Sequence, residues 1–122
     1  SMANKSKQRI AVAMVGEIKV GDRKMVNVDG KSIGIFNVNG EHVAVLNVCP
    51  HELAPVCRGR VTGTTLASVP GESLKWGRED EILVCPWHGW EFDLKTGDAL
   101  ADKRRLRTYP VTVEEGQVLI EV

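Results

Sequence analysis

The stretch 83-LVCPWHGWEFD-93 decides the reading of this chain. It sets Cys85 three residues before His88 in a turn-like setting of proline and glycine. Upstream, 48-VCPHELAPVC-57 does the same with Cys49 and His51, spaced by a single residue. Both half-sites open with Cys-Pro, where the proline ring stiffens the approach to a ligand loop. Thiolate and imidazole together suit zinc or an iron–sulfur centre. The chain has three histidines, and only His42 stands outside these motifs; it reads as a surface residue on a strand.

Around the motifs the sequence changes texture twice. From Ile10 to Val48, short Val- and Ile-rich runs alternate with turns at Gly16, Gly21, Asp29-Gly30 and Asn39-Gly40. That rhythm predicts antiparallel strands, and Asn39-Gly40 predicts a hairpin because both residues tolerate positive φ. The far end predicts a second hairpin, with Tyr109–Val113 and Val118–Val122 flanking Glu115-Gly116. Alternation sets Val111 with Val113, and Val118 with Ile120 and Val122, on single faces. Between these scaffold ends, Cys49 to about Arg107 holds four of the five prolines and both half-sites. Loops on a rigid scaffold are where chemistry usually sits. No helical stripe, internal repeat or low-complexity tract interrupts the pattern.

The 122 residues suit one domain with a real hydrophobic core. Sixteen basic and sixteen acidic side chains cancel, so the balance carries no footprint of a nucleic-acid or membrane-surface binder. No apolar run approaches the roughly 20 residues of a bilayer span, and Ile10–Val15 is short for an export signal, so a cytoplasmic protein is expected. Ser1-Met2 reads as an expression remnant, and residues 1–8 as a loosely ordered start before a domain over 9–122. Three cysteines, an odd number, argue against a disulfide framework. Cys57 reads as a buried, apolar-like cysteine.

A zinc finger pairs cysteine with cysteine and histidine with histidine at short spacers, whereas each half-site here mixes the two. That mixed pattern resembles the Rieske [2Fe-2S] family, in which two cysteines hold one iron and two histidines the other. The resemblance continues through Gly89-Trp90-Glu91-Phe92-Asp93-Leu94, Thr96-Gly97 and Tyr109-Pro110-Val111. It implies an all-β Rieske fold, an antiparallel scaffold with a cluster-binding subdomain inserted over about 48–107. It further implies that Cys49 and Cys85 ligate the inner iron and His51 and His88 the outer one. Two ferric ions, two sulfides and two thiolates sum to zero charge, so an electron is accepted more readily than by a cluster held by four thiolates.

The high-potential respiratory members resemble one another in a disulfide clasp and a serine after the second His-Gly. Here the corresponding positions are Ala54, Trp87 and Trp90. Fewer hydrogen bonds to the cluster then imply the low end of the family range, around −150 mV. An oxygenase would need a further iron held by two histidines and a carboxylate, and only His42 is left. The resemblance that survives is to Rieske-type ferredoxins, which pass electrons from an NAD(P)H-dependent flavin reductase to a terminal oxygenase, and to the small subunit of assimilatory nitrite reductases. The chain is then an electron-transfer protein rather than an enzyme. A structural zinc-binding interaction module is the non-redox alternative.

The 33 residues between His51 and Cys85 predict an elaborated loop, Thr62 to Arg78, beside the site. Glu52 stands directly after the first histidine. The run Lys103, Arg104, Arg105 and Arg107 reads as solvated charge, Trp90 as a shield over the cluster.

Overall fold

The computed structural model describes residues 8–51, 53–66, 71, 75–87 and 89–122, and of Thr65 the backbone. Expectations that fall on residues 1–7, Glu52, His88, 67–70 and 72–74 lie outside them.

Ten strands form three antiparallel sheets, with no α-helix among the described residues. Among the described residues no helix is long and apolar enough to cross a membrane. The first sheet orders β1 (Arg9–Met14), β10 (Gln117–Glu121) and β9 (Val111–Glu114). The second orders β2 (Arg23–Val28), β3 (Lys31–Val38), β4 (Glu41–Leu46) and β8 (Thr108–Tyr109). The third orders β5 (Val61–Leu66), β6 (Lys75–Val84) and β7 (Glu91–Asp93).

Three turns are built on adjacent residues at positive φ: Asp29-Gly30 at 51° and 78°, Asn39-Gly40 at 52° and 99°, Glu115-Gly116 at 49° and 76°. Those angles match the right-handed twist of the strands they join. Both expected hairpins form, β3–β4 with Val38 opposite Glu41 and β9–β10 with Glu114 opposite Gln117.

The second sheet is the middle layer and is buried on both faces. On one face Phe36, Val38, Val43 and Val45 join a core with Leu83, Cys85 and Phe92 of the third sheet. On the other, Ile33, Ile35 and Ala44 join Val118 and Ile120 of the first. A strand covered on both sides reads as a continuous apolar run rather than an alternation, and six consecutive residues of β3, Ile33 to Val38, are buried. Gly34 belongs to this crowding, since a Cβ there would stand 2.7 Å from Cys57 Sγ and 2.9 Å from Phe36 Cε1.

Three expectations need correction. Most of the described part of Thr62–Arg78 is strand, because the β-branched run Val61-Thr62-Gly63-Thr64-Thr65 pairs with β6. The pairing jumps from Thr62–Ile82 to Thr64–Gly77, so β6 bulges through Arg78–Glu81, with Arg78 and Asp80 at positive φ. Arg78 secures the bulge by donating to Asp93 at 2.6 Å and Glu81 at 3.2 Å. Secondly, Tyr109–Val113 is two strands. Pro110, which has no N–H to donate, separates β8 in the second sheet from β9 in the first. Val111 and Val113 share one face of β9, opposite Ile120 and Val118, and on this edge strand Val113 is 55% exposed. Lastly, His42 is half-buried. Its Nε2 is fully covered and, among the described residues, has no hydrogen-bond partner; His42 shares a face with Ala44, on which the first sheet packs.

Candidate metal centre

The two half-sites come from different sheets. The first loop leaves β4 of the middle sheet, and the second is the turn between β6 and β7. Their backbones repeat one design. Cys49 N donates to Ala54 O at 2.8 Å and Leu53 N to Cys49 O at 2.8 Å; Cys85 N donates to Trp90 O at 2.8 Å and Gly89 N to Cys85 O at 3.0 Å. In each loop the residue four beyond the cysteine takes positive φ, Leu53 at 58° and Gly89 at 73°. The glycine meets that need without strain. The leucine adopts it at a cost of about 1 kcal/mol.

Both cysteines end in one apolar core, Cys49 at 0% exposure and Cys85 at 1%, and neither forms a disulfide. His51 stands at the rim, its ring stacked on Trp90 with centroids 4.0 Å apart and planes at 15°. Trp90 packs on the same core and meets Phe92 at 6.3 Å. The histidine of the first loop is thus covered by the indole of the second. His88 and Glu52 lie outside the described residues. Among the described residues no three His, Cys, Asp or Glu side chains are gathered at metal-binding spacing.

The ring of Trp90 also lies 5.5 Å from the Arg104 guanidinium carbon. Arg104 and Arg105 pair with Asp102 at 3.9 Å and Asp98 at 2.7 Å, and Arg107 lies over Tyr109. Two of the four cations of the basic run, Arg104 and Arg105, are thus paired with nearby carboxylates.

Cys57 sits apart from the pair, in the core at 1% exposure, with its Sγ donating to Val45 O at 3.5 Å. Burial pushes its thiol up to about 12, which keeps it protonated and poor as a nucleophile or ligand. Asn47 Oδ1 accepts from Cys57 N at 2.8 Å, and Arg23 Nη1 donates to Cys57 O at 2.6 Å. Sequence reasoning passed over both residues, which stand outside the motifs.

Two buried thiols on matched loops, with imidazole at the rim, are a soft and borderline donor set of the kind that takes an iron–sulfur cluster. Comparison with known proteins agrees. The family profile of the Rieske [2Fe-2S] domain matches residues 8–110. The ferredoxin component of a naphthalene 1,2-dioxygenase system from Pseudomonas aeruginosa is 35% identical over 114 residues, covering 92% of each chain. The ferredoxin component of the naphthalene 1,2-dioxygenase/salicylate 5-hydroxylase systems of a Ralstonia species is 33% identical over 93% of this chain and 94% of its own length. A solved ferredoxin of Sphingomonas yanoikuyae B1 superposes with a TM-score of 0.69 at 27% identity, covering 94% of this chain and 99% of that one. The chain belongs to the Rieske [2Fe-2S] domain family, and its cofactor is a Rieske-type [2Fe-2S] cluster.

Proposed function

We propose that this chain is a cytoplasmic ferredoxin that takes single electrons from an NAD(P)H-dependent flavin reductase and gives them to a terminal oxygenase. The observation that carries the proposal is the pair of matched cysteine loops meeting in one core, with His51 stacked across them on Trp90. Relatives named as ferredoxin components of dioxygenase systems support the choice of partners. In this reading residues 9–122 form the domain and about 48–107 its cluster-binding part.

Cys49 and Cys85 would hold one iron, His51 and His88 the other. The cluster, when bound, supplies a one-electron couple. The chain's own residues do the rest. The apolar core keeps water from both thiols, and the repeated backbone bonds hold each loop in a fixed shape. Trp90 covers one face of His51 and leaves the loop tips at Leu53 and Trp87 exposed. A site that is stiff within and accessible at its tip suits electron exchange between proteins.

Purified protein is expected to be coloured, with two acid-labile sulfides per chain. Alanine at Cys49, His51, Cys85 or His88 should abolish the visible spectrum. With the purified reductase and oxygenase of a naphthalene dioxygenase system, the wild type should restore NADH-dependent turnover. Colourless protein carrying stoichiometric zinc and no sulfide would overturn the redox reading; a normal cluster with no turnover would overturn the choice of partners.

A further inference from the structure

Beside the second cysteine loop lies a groove of about 370 Å³, with Arg58, Gly59, Arg60, Cys85, Pro86 and Glu91 in its lining. Arg58 and Arg60 are exposed. Arg9, Arg78, Arg104 and Arg105 each pair with a carboxylate; among the described residues, Arg58 and Arg60 do not. Glu91 is half-buried and accepts from Thr64 Oγ1 at 3.1 Å, so the groove lining holds two open cations and one tethered carboxylate. The whole chain is neutral, which makes this a local field.

The turn carrying the arginines is held rigid. Arg23 Nη1 reaches across from β2 to donate to the carbonyls of both Cys57 and Gly59. Val84 N donates to Arg60 O at 2.9 Å, which ties the turn to β6. A Cβ at Gly59 would overlap Val84 O, so glycine is what lets the turn lie this close to the strand. A pre-ordered backbone loses less entropy when it meets a partner.

We infer that this groove docks a carboxylate-bearing segment of the redox partner, with Arg58 and Arg60 pairing to its acidic side chains beside the Cys85 loop. The inference rests on the electron-carrier reading and adds the kind of surface the partner presents. A small free anion fits less well, because the turn has few N–H groups to offer it: Arg58 N donates to Pro55 O at 3.0 Å and Gly59 N to Val56 O at 2.9 Å. Trp87, 59% exposed on the adjoining loop, adds the apolar surface that protein interfaces use.

The test is fluorescence anisotropy of fluorescein-labelled poly-L-glutamate titrated with the holoprotein, competed by inorganic phosphate at equal charge. Wild type should bind, with affinity falling as salt rises. The double variant Arg58→Gln/Arg60→Gln should bind about tenfold more weakly, while Arg58→Lys/Arg60→Lys keeps most of the affinity. Stopped-flow oxidation of the reduced protein adds a redox readout. Hexacyanoferrate(III), an anion, should react several-fold more slowly with the glutamine variant, and hexaammineruthenium(III), a cation, should not. Equal binding by wild type and the glutamine variant overturns the inference, as does slowing of both oxidants alike. Phosphate that displaces poly-glutamate at equal charge reassigns the groove to small anions and overturns it too. Wild type that binds poly-glutamate but gives no [2Fe-2S] signal on reduction overturns the carrier reading and leaves the acidic-segment site standing.

Discussion

Cys57 and the two site cysteines are all buried in the same core, yet their surroundings differ in what they prepare. Cys49 and Cys85 each stand at the head of a loop whose carbonyl and N–H groups are tied to the residues four and five beyond. Cys57 instead points its Sγ at Val45 O and at the space kept open by Gly34. Its pKa lies near 12 in the folded chain, above the ordinary 9.0, because burial disfavours the thiolate. The unfolded chain therefore releases this proton first as pH rises. Stability linked to Cys57 is fully present below about pH 9 and falls by roughly 1.4 kcal/mol per pH unit between there and the folded value. Urea midpoints at pH 8 and 10.5 should drop further for the wild type than for Cys57→Ala. The variant Cys57→Ser should keep the visible spectrum, and its loss would make Cys57 part of the metal site.

At the scale of elements, the hairpin turns hold a stability reserve. Glu115 adopts φ of 49° in the turn joining β9 and β10, where Asn39 and Asp29 serve in the other two turns. Asparagine tolerates the left-handed region better than glutamate, since its short side chain bonds locally. Glu115→Asn should stabilise the chain by about 0.5 kcal/mol and raise the thermal midpoint by a few degrees, followed by circular dichroism. Val113 and Glu114 are exposed on the same edge strand, so no packing opposes the change. A midpoint that is lowered would show that Glu115 makes a contact worth more than the strain.

The whole molecule divides its labour between two cores on opposite faces of the middle sheet. The first sheet packs on the face away from the cysteine loops, and its Ile120 is fully buried there with Ile33, Ile35 and Val118. Ile120→Ala should cost 2–5 kcal/mol while leaving the absorption and EPR spectra of the reduced protein unchanged. Phe92→Ala, in the core that holds Cys49, Cys85 and Trp90, should cost as much and also alter the spectra. Unfolding curves and spectra of the two variants side by side check the division. Spectra that shift equally would mean that the two cores act as one.

The sequence by itself determined the turns and the class of fold, and it named the candidate donors. Those features are local: Cys-Pro before a histidine and Asn39-Gly40 between alternating runs carry their meaning within a few residues. Tertiary structure alone decided which sheets the two half-sites come from and that His51 stacks on Trp90, a contact between loops with no shared local pattern. It also decided that β8 and β9 part company at Pro110, and that the described part of Thr62–Arg78 is largely paired strand, since pairing depends on a partner distant in sequence. His42 was read as exposed because alternation names the faces of a strand without saying whether both will be covered; a second sheet and a second core covered them. Nothing in the sequence around Arg58 and Arg60 marks them out. Only the packing of their turn against β6, with Arg23 holding its carbonyls, sets them beside Cys85.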